Sequence, residues 1–134
     1  MISAADLRIG NIVKDAYGNS CTIRSIDSER SYTYKDVIYT GTASVFIHKY
    51  NGTTGKWIES LSPIKLTEEL LLNNCGFERH PELTWLLTNG MITLNTGNHN
   101  TWQYSKSVLK EIKYLHQLQN VFFALHQREL EVKL

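Results

Sequence analysis

From Asn11 to Trp57 the chain never sustains a helical period: β-branched and aromatic residues recur among polar ones, with Gly18-Asn19, Gly41, Asn51-Gly52 and Gly55 as punctuation. Side chains of that kind fit a pleated, half-buried surface, and short glycine-bearing connections join neighbouring strands in antiparallel order. The first half is thereby restricted to short antiparallel strands. Ile12 and Val13 precede Ala16-Tyr17-Gly18-Asn19, and Cys21, Ile23 and Ile26 follow with polar residues between them. This pattern predicts a hairpin of residues 11–15 and 20–27, turning through residues that tolerate positive φ.

Two further strands are expected, over 31–40 (Tyr32, Tyr34, Val37, Ile38, Tyr39) and 43–50 (Val45, Phe46, Ile47, Tyr50), with turns at Gly41, Asn51-Gly52 and Gly55. Trp57 and Ile58 suit one more short strand. Four or five strands at this spacing imply a small curled sheet or barrel. The run Arg8-Ile9-Gly10-Asn11-Ile12-Val13, with Gly18 and Ile23 after it, resembles the first hairpin of SH3-like barrels.

The pattern changes at Ser62-Pro63. Thr67 is placed to cap a helix over 67–75, with Glu68 and Glu69 at its positive end, Leu70, Leu71 and Leu72 as its buried side, and Gly76 as its stop. Phe77 is expected to pack back on it. Trp85-Leu86-Leu87 and Met91-Ile92-Thr93-Leu94 flank Thr88-Asn89-Gly90, a hairpin signal. Asn95 to Asn100 reads as a polar loop, and Trp102 and Tyr104 as a third strand. From Tyr114 to Leu125, the residues Leu115, Leu118, Phe122 and Leu125 recur at three- and four-residue spacing and predict the main helix. Leu130, Val132 and Leu134 alternate with Glu131 and Lys133, so a final strand is expected.

The expected fold class is α+β: an N-terminal SH3-like antiparallel β-barrel or curled sheet, a short middle helix, a β-hairpin, and a C-terminal helix packed on the sheet. With 134 residues the chain suits one domain, its barrel-like part over 1–61 sharing a core with an α+β part over 62–134. The chain shows neither a run of about 18 apolar residues nor a charged-then-apolar leader, so a cytoplasmic protein is expected. Cys21 and Cys75 lie outside any metal-binding or redox spacing and read as two buried thiols. The five histidines pair neither with them nor with one another, so no metal and no cofactor is expected.

Three blocks carry a resemblance. They are Leu7-Arg8-Ile9-Gly10-Asn11, then Leu66-Thr67-Glu68-Glu69-Leu70-Leu71 with Gly76-Phe77, and finally Ile112-Lys113-Tyr114-Leu115-His116-Gln117-Leu118-Gln119-Asn120 continuing into Phe123-Ala124-Leu125. In this order and spacing the chain resembles a family of uncharacterised small proteins from anaerobic gut bacteria, their prophages and mobile elements. It departs from that family at Leu70, where a tryptophan is common, and at His126-Gln127-Arg128, which replaces a glycine-containing turn. The family has no assigned activity, so the resemblance implies a cytoplasmic, mobile-element-borne protein and carries over no functional residue.

Candidate functional residues fall into two groups. On the main helix a second line runs through His116, Asn120, Phe123 and Gln127, flanked by Gln117 and Gln119. An aromatic anchor among amides and an imidazole suits a protein-recognition face. The competing reading buries both faces and satisfies the amides against neighbouring strands. The second group is Arg30, Tyr32, Tyr34 and Lys35. Aromatics beside cations on a small barrel can stack on bases while the charges hold phosphates. Asp27, Glu29 and Asp36 cancel much of that charge, and tyrosine is an ordinary strand former. The formal net charge is +1, which does not by itself call for nucleic acid. No nucleophile elbow is present, Gly52, Gly55 and Lys56 lack the spacing of a phosphate loop, and nothing marks the carboxylate pairs Asp27/Glu29 or Glu68/Glu69 as more than a solvated loop or a helix start. The expectation is therefore a non-enzymatic protein-binding module that docks on or inhibits host machinery through an unidentified protein partner. The alternative is a weak nucleic-acid-binding small barrel. A homo-oligomer is compatible with either, and no membrane is involved.

Overall fold

A computed structural model of the chain describes residues 2, 6–34, 37–49, 52–57, 60–83, 85–96, 102–104 and 111–134; for residues 25, 27–34, 37–49, 52–57, 96, 103–104 and 111 only the backbone is described. The protein is α+β, with two antiparallel sheets and two helices among the described residues. It divides into two compact units, residues 1–64 and 65–134, close to the change of pattern at Ser62-Pro63.

The first unit is a four-stranded meander in the order β1 (Ile12–Lys14), β2 (Ser20–Tyr34), β3 (Val37–Lys49) and β4 (Gly52–Trp57). The expected first hairpin is present, with Val13 opposite Cys21. Its turn is held by Asp15, whose carboxylate Oδ1 accepts from the backbone N–H groups of Tyr17 and Asn19, both at 2.9 Å. Gly18 has φ 82°, where a Cβ would be strained.

The next two strands are longer than expected and are set differently. Tyr34 pairs with Val37 and Arg30 with Gly41, so the chain reverses between 34 and 37, inside the segment 31–40 assigned to a single strand. Gly41 lies within β3 and is not a turn. Lys35, Tyr50, Asn51 and Ile58 lie outside the described residues. The described strands form an open order and do not close into an SH3-like barrel. Among the described residues the chain returns to β1 through an isolated bridge, in which Lys14 and Ser62 exchange two backbone hydrogen bonds of 2.8 Å.

The core of this unit gathers Ile2, Leu7, Val13, Cys21, Ile23 and Leu61, with Ile26 packed against it. Ile23 and Ile26 are three residues apart, which in a regular strand places them on opposite faces. The β-bulge between Ile23 and Ser25 inserts one unpaired residue and restores them to the same side.

The second unit carries a five-stranded antiparallel sheet in the order β5 (Glu78–Arg79), β6 (Leu86–Thr88), β7 (Thr93–Thr96), β8 (Trp102–Tyr104) and β9 (Glu111–Ile112). The hairpin expected from 85–87 and 91–94 is found with its strands at Leu86–Thr88 and Thr93–Thr96, and the third strand is present; the two-residue edge strands β5 and β9 are additions. Asn89 closes the hairpin by accepting from the N–H groups of Met91 and Ile92 at 3.0 and 2.9 Å. Much of the expected 95–100 loop lies outside the described residues. Leu87 opposes Leu94, and Trp102 opposes Ile112. All four are buried. The indole N–H of Trp102 donates to the Leu66 carbonyl at 3.2 Å, which spares its burial an unpaired donor.

Helix α1 (Glu68–Asn74) starts at Thr67, whose hydroxyl accepts from the Leu70 N–H at 3.1 Å. Of its three leucines only Leu71 is fully buried. Three consecutive residues span about 200° of a helix, too wide an arc for one contact face. Phe77 is buried and its N–H donates to the Leu71 carbonyl at 3.1 Å, so it folds back as expected.

Helix α2 (Leu115–His126) begins at Tyr114. The Gln117 side-chain carbonyl accepts from the Lys113 and Tyr114 N–H groups at 2.8 and 3.1 Å, which supplies the reach-back half of a capping box. Leu115, Leu118 and Phe122 are buried as the period predicts. Leu125 is not, being 46% exposed. The expected final strand is absent among the described residues. Leu130 is buried, and Lys133 is held by Asn74, whose carbonyl accepts from the Lys133 N–H at 2.8 Å and whose side-chain amide donates to the Lys133 carbonyl at 2.5 Å.

Candidate functional site

His116, Asn120, Phe123 and Gln127 fall within about 60° of one another around a helix, so they form one line on α2. That line is not uniform. His116 is 3% exposed and Phe123 37%; Asn120 is half-buried and Gln127 exposed. The line starts inside the unit and emerges at the last turn. The His116 ring stacks on Tyr114 with centroids 5.9 Å apart and planes 9° apart. A partner arriving from solvent therefore meets Phe123 and Gln127, with Asn120 behind them, while His116 belongs to the packed interior. Gln119, a flanking amide, is also buried.

The C-terminal end of α2 opens onto a cleft. His126 tilts against Phe122, with centroids 4.9 Å apart at 52°. Gln127 takes a left-handed conformation with φ 53° and donates its N–H to the Phe123 carbonyl at 2.7 Å. This reversal sends residues 128–133 back past the end of α1. The Arg128 guanidinium meets the Met91 sulfur on the 89–92 hairpin loop. Together these elements enclose a cleft of about 500 Å³, within the range of ligand and peptide pockets. Its walls include Leu72, Asn73, Asn89, Met91, Phe122 and Arg128.

The chemistry of this cleft is neutral and hydrogen-bonding. Arg128 and Lys133 are balanced by Glu129 and Glu131 on the same lining. Cys75 also lines it, but burial pushes its thiol up from an ordinary 9.0 to about 11. At neutral pH it is a protonated thiol and a poor nucleophile. Neither cysteine is in a disulfide. Among the described residues no group of three or more His, Cys, Asp or Glu could hold a metal ion. No helix among them is long and apolar enough to cross a membrane.

Arg30, Tyr32 and Tyr34 lie on alternate positions of β2, and Tyr32 pairs directly with Tyr39 of β3. Lys35 lies outside the described residues. Sequence reasoning missed the cleft altogether. Its walls come from segments far apart in the chain, within 72–76, 89–91 and 122–133, and no local sequence pattern marks it. Compared with protein-family models, curated proteins and solved structures, the chain matches none of them.

Proposed function

We propose that this protein is a non-enzymatic binding module that docks on another protein through the last turn of α2 and the cleft beside it. The observation that carries this reading is the emergence of the Asn120–Phe123–Gln127 line at that turn, next to the cleft lined by Phe122 and Arg128. An exposed aromatic beside amides and balanced charges offers an anchor with polar orientation around it. The partner that fits is a protein segment presenting an apolar side chain for Phe123 and backbone polar groups for the amides. The resemblance noted above makes host machinery engaged by a phage or mobile-element protein in the cytoplasm the class of target.

The test is a pull-down with tagged full-length protein from a bacterial host lysate, with and without nuclease, alongside Phe123→Asp. A stoichiometric protein that survives nuclease and is lost with Phe123→Asp, while the variant keeps the wild-type melting temperature within about 2 °C (a sub-kcal/mol change), supports docking here. Retention of the same protein by Phe123→Asp overturns it. Nucleic acid as the retained species would favour the small-barrel alternative, with Arg30, Tyr32, Tyr34 and Lys35 as its contacts.

A further inference from the structure

β2 and β3 pair with each other from Thr22–His48 out to Tyr34–Val37, but their neighbours are much shorter. β1 covers only Ser20 to Thr22 of β2, and β4 covers only Ser44 to Lys49 of β3. Among the described residues, 28–34 and 37–43 therefore form a two-stranded ribbon with no third strand on either side. Seven residues per strand span about 23 Å. Two strands alone are marginally stable in water, and an open edge is a template for further pairing.

The two edges differ in what they carry. β2 has Glu29 and Arg30 in this stretch, whereas residues 37–43 read Val-Ile-Tyr-Thr-Gly-Thr-Ala. That run has no charge and no proline, and four of its seven residues are β-branched. It lacks the devices that keep an edge from pairing, a lysine or proline above all.

We infer that the outer edge of β3 over Val37–Ala43 pairs antiparallel with the same edge of a second copy of this chain, joining the two ribbons into one continuous sheet. Self-pairing is favoured by charge, because no register of this segment against itself opposes like charges. It is favoured by symmetry as well, since antiparallel apposition about Thr40 is isologous and satisfies both edges at once. Nucleic acid is a poorer occupant: the ribbon strands hold one glutamate and one arginine, leaving no net charge to displace counterions. The contact is small, so the dimer is weak and concentration-dependent. This inference is independent of the α2 docking site.

Sedimentation equilibrium of the full chain from 5 to roughly 500 µM is the test, with Thr40→Lys and Thr40→Glu measured singly and mixed. Directly opposed residues across an antiparallel pair are about 5 Å apart, where like charges repel and opposite charges attract. Wild type should show a monomer–dimer equilibrium, each variant alone a dissociation constant raised at least tenfold, and the equimolar mixture a restored dimer. Restoration by mixing also shows that each variant is folded at the edge. A wild type monomeric throughout, a Thr40→Lys variant as dimeric as wild type, or a mixture no more associated than its parts would overturn the inference.

Discussion

Gln127 holds φ 53° at the end of α2, a conformation that costs a residue with a Cβ about 1 kcal/mol and costs glycine almost nothing. It is the only non-glycine residue with positive φ among the described residues, and it sits where the cleft wall leaves the helix. Gln127→Gly should raise stability by about 0.5–1 kcal/mol, read in urea denaturation as a higher midpoint at unchanged slope. A lower midpoint would mean that the glutamine side chain supplies more than the strain removes. The sequence does not mark this position, since neither glycine nor asparagine stands at 126–128. It does not reveal the fate of His116, which shares a helical line with Phe123. Periodicity reports angle around an axis; it carries no information on which turns of that axis are covered.

The helices show how much an element's own residues decide. Thr67, Glu68 and Glu69 lie at the start of α1 as the capping pattern requires, and Thr67→Ala should cost about 1 kcal/mol by leaving the Leu70 N–H without its acceptor. Thermal or urea unfolding checks this. An unchanged midpoint would mean that water replaces the hydroxyl at no cost. Strand ends were less legible. Gly41 looks like a turn yet pairs within β3, while the reversal falls between Tyr34 and Val37, where no glycine or asparagine marks it. The 13-residue β3 can keep its ladder through a glycine, because cross-strand pairing on both sides of Gly41 outweighs that residue's weak preference. The alternation Leu130-Val132-Leu134 failed for the opposite reason. Asn74 occupies both the N–H and the carbonyl of Lys133, leaving that residue's ladder groups already engaged.

For the whole molecule, composition constrains the class of partner more than its identity. A formal charge of +1, with residues 1–66 at +2 and residues 67–134 at −1, provides no field to hold a polyanion. Accordingly, at about 150 mM salt the protein should show no retention on duplex or single-stranded DNA in a filter or anisotropy assay; micromolar binding that falls steeply with salt would instead mark a local cationic patch. The sequence by itself determined the α+β class, the first hairpin, the 86–94 hairpin, the caps of α1 and the inward residues of α2's first two turns, because these follow from local propensity and from periods of two and 3.6 residues. Only the tertiary structure decided that the first sheet stays open, that Leu125 and Phe123 face solvent, and that α1, the 89–92 loop and residues 128–133 line a cleft. Those outcomes depend on which distant segments meet, and distance along the chain leaves no periodic trace in the residues that come together.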